Sequence, residues 1–172
     1  MAKSDWPELV ADAPALGDAR RPLVVEFVAY DCEYCRRFHV TTREYLASHQ
    51  NVGFVIRQLP NRFVQRSRGA SLAALCAHEQ GQFSQMHDFL LTDDQWLRTD
   101  DWASTARRAG IRDVNAFLSC QRAPTALARI SQDSALAARL HLRVTPLLIS
   151  RAQGVKAGEL TLPELIEWSS RP

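Results

Sequence analysis

Leu23-Val24-Val25-Glu26-Phe27-Val28-Ala29-Tyr30 is an almost unbroken apolar run, rich in β-branched and aromatic residues. Apolar character without alternation predicts a strand covered on both faces, as at the centre of an α/β sheet. Asp31 ends the run and stands where it can cap a helix. From Cys32 to about Ser48 the residues favour helix, and Cys35, Phe38, Thr42, Tyr45 and Leu46 recur along one face. Val52 to Leu59 reads as a second strand, ended by Pro60. A β–α–β order predicts a right-handed parallel crossover.

Residues 63–141 carry helical periodicity, in pieces separated by Gly81, Thr92-Asp93-Asp94, Gly110 and Pro124. Thr99-Asp100-Asp101 and Arg112-Asp113 have the residues of helix starts. Strand character returns at Val144-Thr145-Pro146-Leu147-Leu148-Ile149, and Gln153-Gly154 suits a turn into a short strand at 155–157. Thr161-Leu162-Pro163-Glu164 then opens a last helix running to Trp168. Residues 1–20 are polar and broken by Pro7, Pro14 and Gly17, which predicts an extended lead-in. The expected organisation is a lead-in over 1–20, a discontinuous α/β domain over 21–62 and 142–172, and an inserted helical domain over 63–141.

Composition changes this picture little. The 172 residues are 46% hydrophobic and 23% charged, as in an ordinary globular protein. A net charge of +2 gives no pointer to nucleic acid. No apolar run follows a basic start, so no signal peptide is expected. No segment is long and apolar enough for a bilayer span, so a soluble protein is expected. A secreted chain trimmed of its leader would look the same, which leaves the compartment open.

Cysteine placement is more informative. The four cysteines stand at 32, 35, 76 and 120, too few for a disulfide scaffold. Cys32 follows a strand and opens a helix, where unpaired N–H groups and the helix dipole favour a thiolate. Cys35 lies one turn further on the same face, so the two sulfurs can bond to each other. Cys32 is the expected exposed nucleophile and Cys35 the deeper resolving thiol. Glu33 puts a like charge beside the thiolate and should raise its pKa. Tyr34 offers a hydroxyl and an aromatic surface to a peptide. A competing reading makes Cys32, Cys35 and His39 ligands of a metal-binding module, but structural zinc sites pair two such knuckles and no second one exists. Cys76 and Cys120 are either two buried thiols or one bond between two helices, and spacing does not decide. His49, His78, His87 and His141 share no metal-site spacing.

The stretch Val25-Glu26-Phe27 leading to Cys32-Glu33-Tyr34-Cys35-Arg36-Arg37-Phe38 resembles the DsbA-like branch of the thioredoxin superfamily. Ala73-Ala74-Leu75-Cys76-Ala77-His78-Glu79-Gln80-Gly81-Gln82-Phe83, Met86-His87-Asp88 and Val144-Thr145-Pro146 resemble it too. The likeness runs over nearly the whole chain from Leu23. It implies a thioredoxin-like α/β fold, βαβ…ββα, with an inserted helical block. It also implies disulfide exchange with cysteine-containing protein substrates outside the cytoplasm. A membrane redox partner, DsbB-like or VKOR-like, would recycle the pair, and neither cofactor nor metal is called for. Thr145-Pro146 matches the family's cis-proline motif, which sets the Thr145 backbone beside Cys32 to pair with an extended client. Glu26, a buried acid needing a reason, matches the acid that shuttles the buried thiol's proton. Arg57 on the next strand is a candidate partner for Glu26. Some members carry a second bond in the helical block, which favours a Cys76–Cys120 disulfide. The Glu-Tyr dipeptide departs from the Pro-His of strong oxidants, so a weaker oxidant is expected. With no dimerisation domain before it, a monomeric dithiol oxidase is expected. A reductase or isomerase, or a peptide-binding module without redox turnover, are the competing readings. A periplasmic or other extracytoplasmic location is expected, with a cytoplasmic one the alternative.

Overall fold

The computed structural model of the chain describes residues 5–170; the ends of the expected lead-in (1–4) and of the expected second α/β segment (171–172) lie outside that range. The strands are β1 (Ala15–Gly17), β2 (Pro22–Val28), β3 (Gly53–Gln58), β4 (Leu147–Ser150) and β5 (Gly154–Ala157). The helices are α1 (Trp6–Val10), α2 (Glu33–Ser48), α3 (Gln65–Glu79), α4 (Phe83–Thr92), α5 (Trp102–Arg108), α6 (Val114–Arg122), α7 (Pro124–Arg139) and α8 (Leu162–Ser170). The strands form one mixed sheet in the order β1-β3-β2-β4-β5. The β2–α2–β3 unit is the expected parallel crossover, and the remaining pairs are antiparallel.

The apolar run of β2 is central because both its faces are covered. Period-two alternation sorts the side chains cleanly. Val24, Val28, Phe54, Ile56 and Leu148 share a core with Phe38 and Tyr45 of α2 and Leu165 of α8. Val25, Phe27, Val55, Leu147 and Ile149 pack on the other face against Leu9 of α1 and Leu136 and Ala137 of α7.

The extended lead-in is corrected. Residues 6–17 form a helix and an edge strand: Pro7 sits in the first turn of α1, where its missing N–H costs nothing, and Leu9 is fully buried. β1 closes on β3 with Gly17 opposite Gly53. Gly17 has φ +73°, and a Cβ there would fall 2.4 Å from the Val52 carbonyl oxygen. Asp31 is corrected as well. The residue at the start of α2 is Cys32, while Asp31 accepts a hydrogen bond from Ser67 Oγ and so ties the start of α3 to the end of the central strand. Asp101 and Asp113 do cap α5 and α6, each accepting a backbone N–H three residues on.

Helices α3–α7 occupy the interval between β3 and β4. Ala70, Ala73, Ala74, Cys76 and Ala77 of α3 are all fully buried, as in a helix covered on every side. The core of α3 is continuous with that of α2 and the sheet, so the helical block shares one interior with the strands. A disulfide joins Cys76 of α3 to Cys120 of α6 across a separation of 44 residues. Replacing both cysteines by alanine should lower the unfolding free energy by about 2–4 kcal/mol, the scale for opening a loop of that length. Urea midpoints of parent and variant, with Cys32 and Cys35 in the same redox state, check this.

Candidate active site

β2 delivers the chain to the mouth of α2, where Cys32 has extended backbone (φ −83°, ψ 119°) and Glu33 begins the helix. Cys32 is half-buried and Cys35, one turn deeper, is fully buried; both thiols are free. As a thiol, Cys32 donates to the Thr145 carbonyl oxygen at 3.2 Å. The Thr145–Pro146 peptide is cis. The Cys32 thiol is pulled down to about 5. Hydrogen bonding from Cys35 is the largest cause, with help from the Thr145 side chain and the backbone N–H groups of Cys35 and Tyr34, against partial burial. Cys35 moves the other way. Burial pushes its thiol far above the ordinary range, and its hydrogen bond to Cys32 and the charges of Glu26 and Cys32 add to the shift.

Glu26 lies beneath the pair and is 2% exposed. Its register partners are Ile56 on one side and Leu148 on the other, both fully buried. Burial, and secondarily the Cys32 charge, raise its carboxyl to about 8. Arg57 is not its partner, which corrects that expectation. Arg57 is in register with Phe27, one residue along from Glu26, so the pleat sends it to the opposite face of the sheet. There it pairs with Asp133 of α7 at 2.8 Å and donates to the carbonyls of Glu8, Leu9 and Ala11.

Glu33, expected to set a like charge beside Cys32, has an ion-pair partner of its own. Its side chain is 81% exposed and bound to Arg37 at 2.7 Å, one turn along the helix. The opposite charge of Arg37 and the surrounding water weaken its field at Cys32. Tyr34 is exposed, with Arg37 stacked 4.6 Å from its ring centroid. His39 does not join the two sulfurs as a ligand. Its Nε2 meets Asp88 of α4 at 2.9 Å, and its ring packs edge-on against His87, which is 3.0 Å from the Tyr30 hydroxyl. Burial pushes both imidazoles below their ordinary range. Among the described residues no group of three His, Cys, Asp or Glu is placed to hold a metal ion.

Beside Cys32 opens a groove of about 900 Å³. One wall is the loop after β3, with Arg62 and Phe63; the other is the loop before β4, with Arg143 and Val144. Tyr34, Phe63 and Val144 expose large apolar surfaces at 55%, 82% and 51%. These walls were not singled out by the sequence. An aromatic between Arg62 and Val64 in a loop carries no periodic signal, and only the fold brings residues 62–63 and 143–144 to one groove.

A family model described as thioredoxin matches residues 11–161. Among solved structures the chain is similar to a thioredoxin-like oxidoreductase from Silicibacter pomeroyi DSS-3, at TM-score 0.81 and 29% identity, covering 97% of this chain and 95% of that one. It is similar in fold to a periplasmic thioredoxin-like protein from Salmonella enterica serovar Typhimurium, at TM-score 0.81 and 20% identity over 98% and 95% of the two chains. The thiol-disulfide exchange protein alpha-DsbA2 from Wolbachia pipientis shares the fold at TM-score 0.78 and 19% identity, over 96% and 91%. A curated relative, Na(+)/H(+) antiporter NhaA 3 of Salinispora tropica, is 35% identical over 111 residues, 64% of this chain. The matched stretch spans only 17% of that relative's length.

Two pH dependences follow from the site. In the reduced protein the rate of Cys32 alkylation by iodoacetamide should be flat at neutral pH and fall with a midpoint near 5. For Glu26 the raised pKa sets the sign. Below the ordinary value of 4.5 folded and unfolded chains both hold the proton; between 4.5 and about 8 only the folded chain keeps it, so stability drains away as pH rises through that window. Glu26→Gln should therefore stabilise the reduced protein by roughly 3 kcal/mol at pH 7. The gain should vanish in urea titrations at about pH 4.

Proposed function

Because the chain belongs to the thioredoxin family, we propose that it is a thiol–disulfide oxidoreductase that oxidises cysteine-containing proteins through Cys32 and Cys35. The observation that carries this reading is the opposite displacement of the two thiols: Cys32 is drawn down to about 5 and Cys35 is pushed far up. A stabilised Cys32 thiolate favours the reduced form of the pair, which makes the Cys32–Cys35 disulfide an oxidant.

The reaction runs by exchange. A client thiolate attacks Cys32 Sγ of the disulfide; the client–Cys32 bond forms, the Cys32–Cys35 bond breaks, and Cys35 departs as a thiolate. A buried thiolate is costly, and the Glu26 carboxyl, protonated at neutral pH, supplies the proton. A second client thiolate then attacks the client sulfur of the mixed disulfide and releases the Cys32 thiolate. The client has lost two electrons and the pair has gained them. In the next cycle the Glu26 carboxylate takes the Cys35 proton back. An extended client lies against the Thr145 backbone and Pro146, with Tyr34 beside it, in the manner of an added strand.

The pair is returned to its disulfide by an electron acceptor, which on this reading is a membrane partner of the DsbB-like or VKOR-like kind. The Cys76–Cys120 bond supports an oxidising, extracytoplasmic setting, since such bonds persist where thiols are not kept reduced. No described helix is long and apolar enough to cross a membrane. The protein acts as a monomer, with the groove beside Cys32 free to receive clients.

A Cys32 value near 5 lies between about 7 for thioredoxin and about 3.5 for the strongest oxidant of the superfamily. The reduction potential of the pair, equilibrated with glutathione, should accordingly fall between about −270 and about −120 mV. Oxidative refolding of a reduced client should proceed with the parent and stop with Cys32→Ser, while Cys35→Ser mixed with a disulfide-bonded client should hold a client–Cys32 mixed disulfide, the Cys32 thiolate displacing one client sulfur as a thiolate with no Cys35 left to resolve the bond. A potential at or below the thioredoxin end, together with rapid insulin reduction, would assign a reductase instead.

A further inference from the structure

Resting on that reading, we propose that the groove selects clients whose cysteine lies in an extended apolar segment flanked by acidic residues. The groove holds two acids and two arginines within reach of a bound chain, and their states differ. Glu33 is occupied by Arg37 and Asp31 by Ser67. Arg62 and Arg143, one on each wall, are exposed and have no ion-pair partner among the described residues. The Arg62 guanidinium lies 4.6 Å from the centroid of the exposed Phe63 ring, so charge and apolar surface are presented together.

The two guanidinia act on the client rather than on the reacting sulfur. The groups that chiefly hold the Cys32 thiol down are Cys35, Thr145 and the backbone at the helix mouth. Neither Arg62 nor Arg143 is among those groups. A chain paired with Thr145 advances about 3.3 Å per residue, so side chains two or three positions from the client cysteine fall along those walls. Apolar ones meet Tyr34, Phe63 and Val144; carboxylates meet Arg62 and Arg143. Large exposed apolar side chains around one groove are themselves the mark of a recognition surface. The unmatched positive charge on both walls gives it a sign.

The test uses two otherwise identical peptides with one cysteine, bearing glutamate or lysine two residues to either side. Each is reacted with the oxidised protein, and its rate is divided by its rate with 2-hydroxyethyl disulfide, which removes the effect of the flanking charge on the client thiol itself. The acidic peptide should react about tenfold faster at low ionic strength, the scale of two exposed ion pairs gained rather than two repulsions. The ratio should contract in high salt and approach one in the Arg62→Gln, Arg143→Gln double variant. A normalised ratio of one or less in the parent would overturn the proposal, as would a ratio that salt and the double variant leave unchanged. Failure of both peptides to react would instead overturn the oxidoreductase reading, and this proposal with it.

Discussion

Two sulfurs one helical turn apart are placed in opposite solvation environments, and the chemistry proposed for this protein depends on that contrast. Cys32 stands at the mouth of α2, where backbone N–H groups and a neighbouring thiol can stabilise its charge. Cys35 points into the core and has no comparable compensation. The same electron pair is therefore comfortable on one sulfur and costly on the other. On the proposed reading a mixed disulfide forms at the first, and a proton attends the second.

On that reading Glu26 answers the need because of where the central strand runs. A strand covered on both faces leaves no solvent for a carboxylate, and the pleat places Arg57, the cation on the neighbouring strand, on the far side of the sheet. Glu26 thus sits among Ile56 and Leu148 with burial as the main force on its pKa. Arg57 serves another end: with Asp133 and three carbonyls around the end of α1, it binds the N-terminal segment and α7 to β3. Asp133 also accepts the Gln58 backbone N–H, completing that junction.

The helical block contributes to the site through position. α3 is locked to the active-site strand by Ser67 and Asp31, and to α6 by the Cys76–Cys120 bond. Between Tyr30, at the end of the strand, and α4 runs a series of polar side chains: Tyr30, His87 and His39 are buried, and His39 meets the part-exposed Asp88. α7 supplies the floor of the groove beside Cys32 before the chain turns through Arg143 and Val144 into Thr145 and Pro146. The cysteine pair and the groove beside it are thereby built from segments more than a hundred residues apart.

Local chemistry made several of these features legible in the amino-acid order. An unbroken apolar run, a Cys-x-x-Cys at the following helix start, a parallel crossover and the capping aspartates at 101 and 113 each depend on neighbours within a few residues. The buried acid at Glu26 was legible for the same reason, since its strand has no exposed face. What the tertiary structure decided are the relations between distant segments. These include the antiparallel edge strand β1, whose pairing with β3 no local pattern announces. They include the partner of Arg57, which the pleat reverses. They also include the meeting of Arg62 and Phe63 with Arg143 and Val144 across one groove. Propensity and periodicity act over one or two turns of chain, whereas which face a side chain occupies and which charge it meets are settled by packing among elements far apart in sequence.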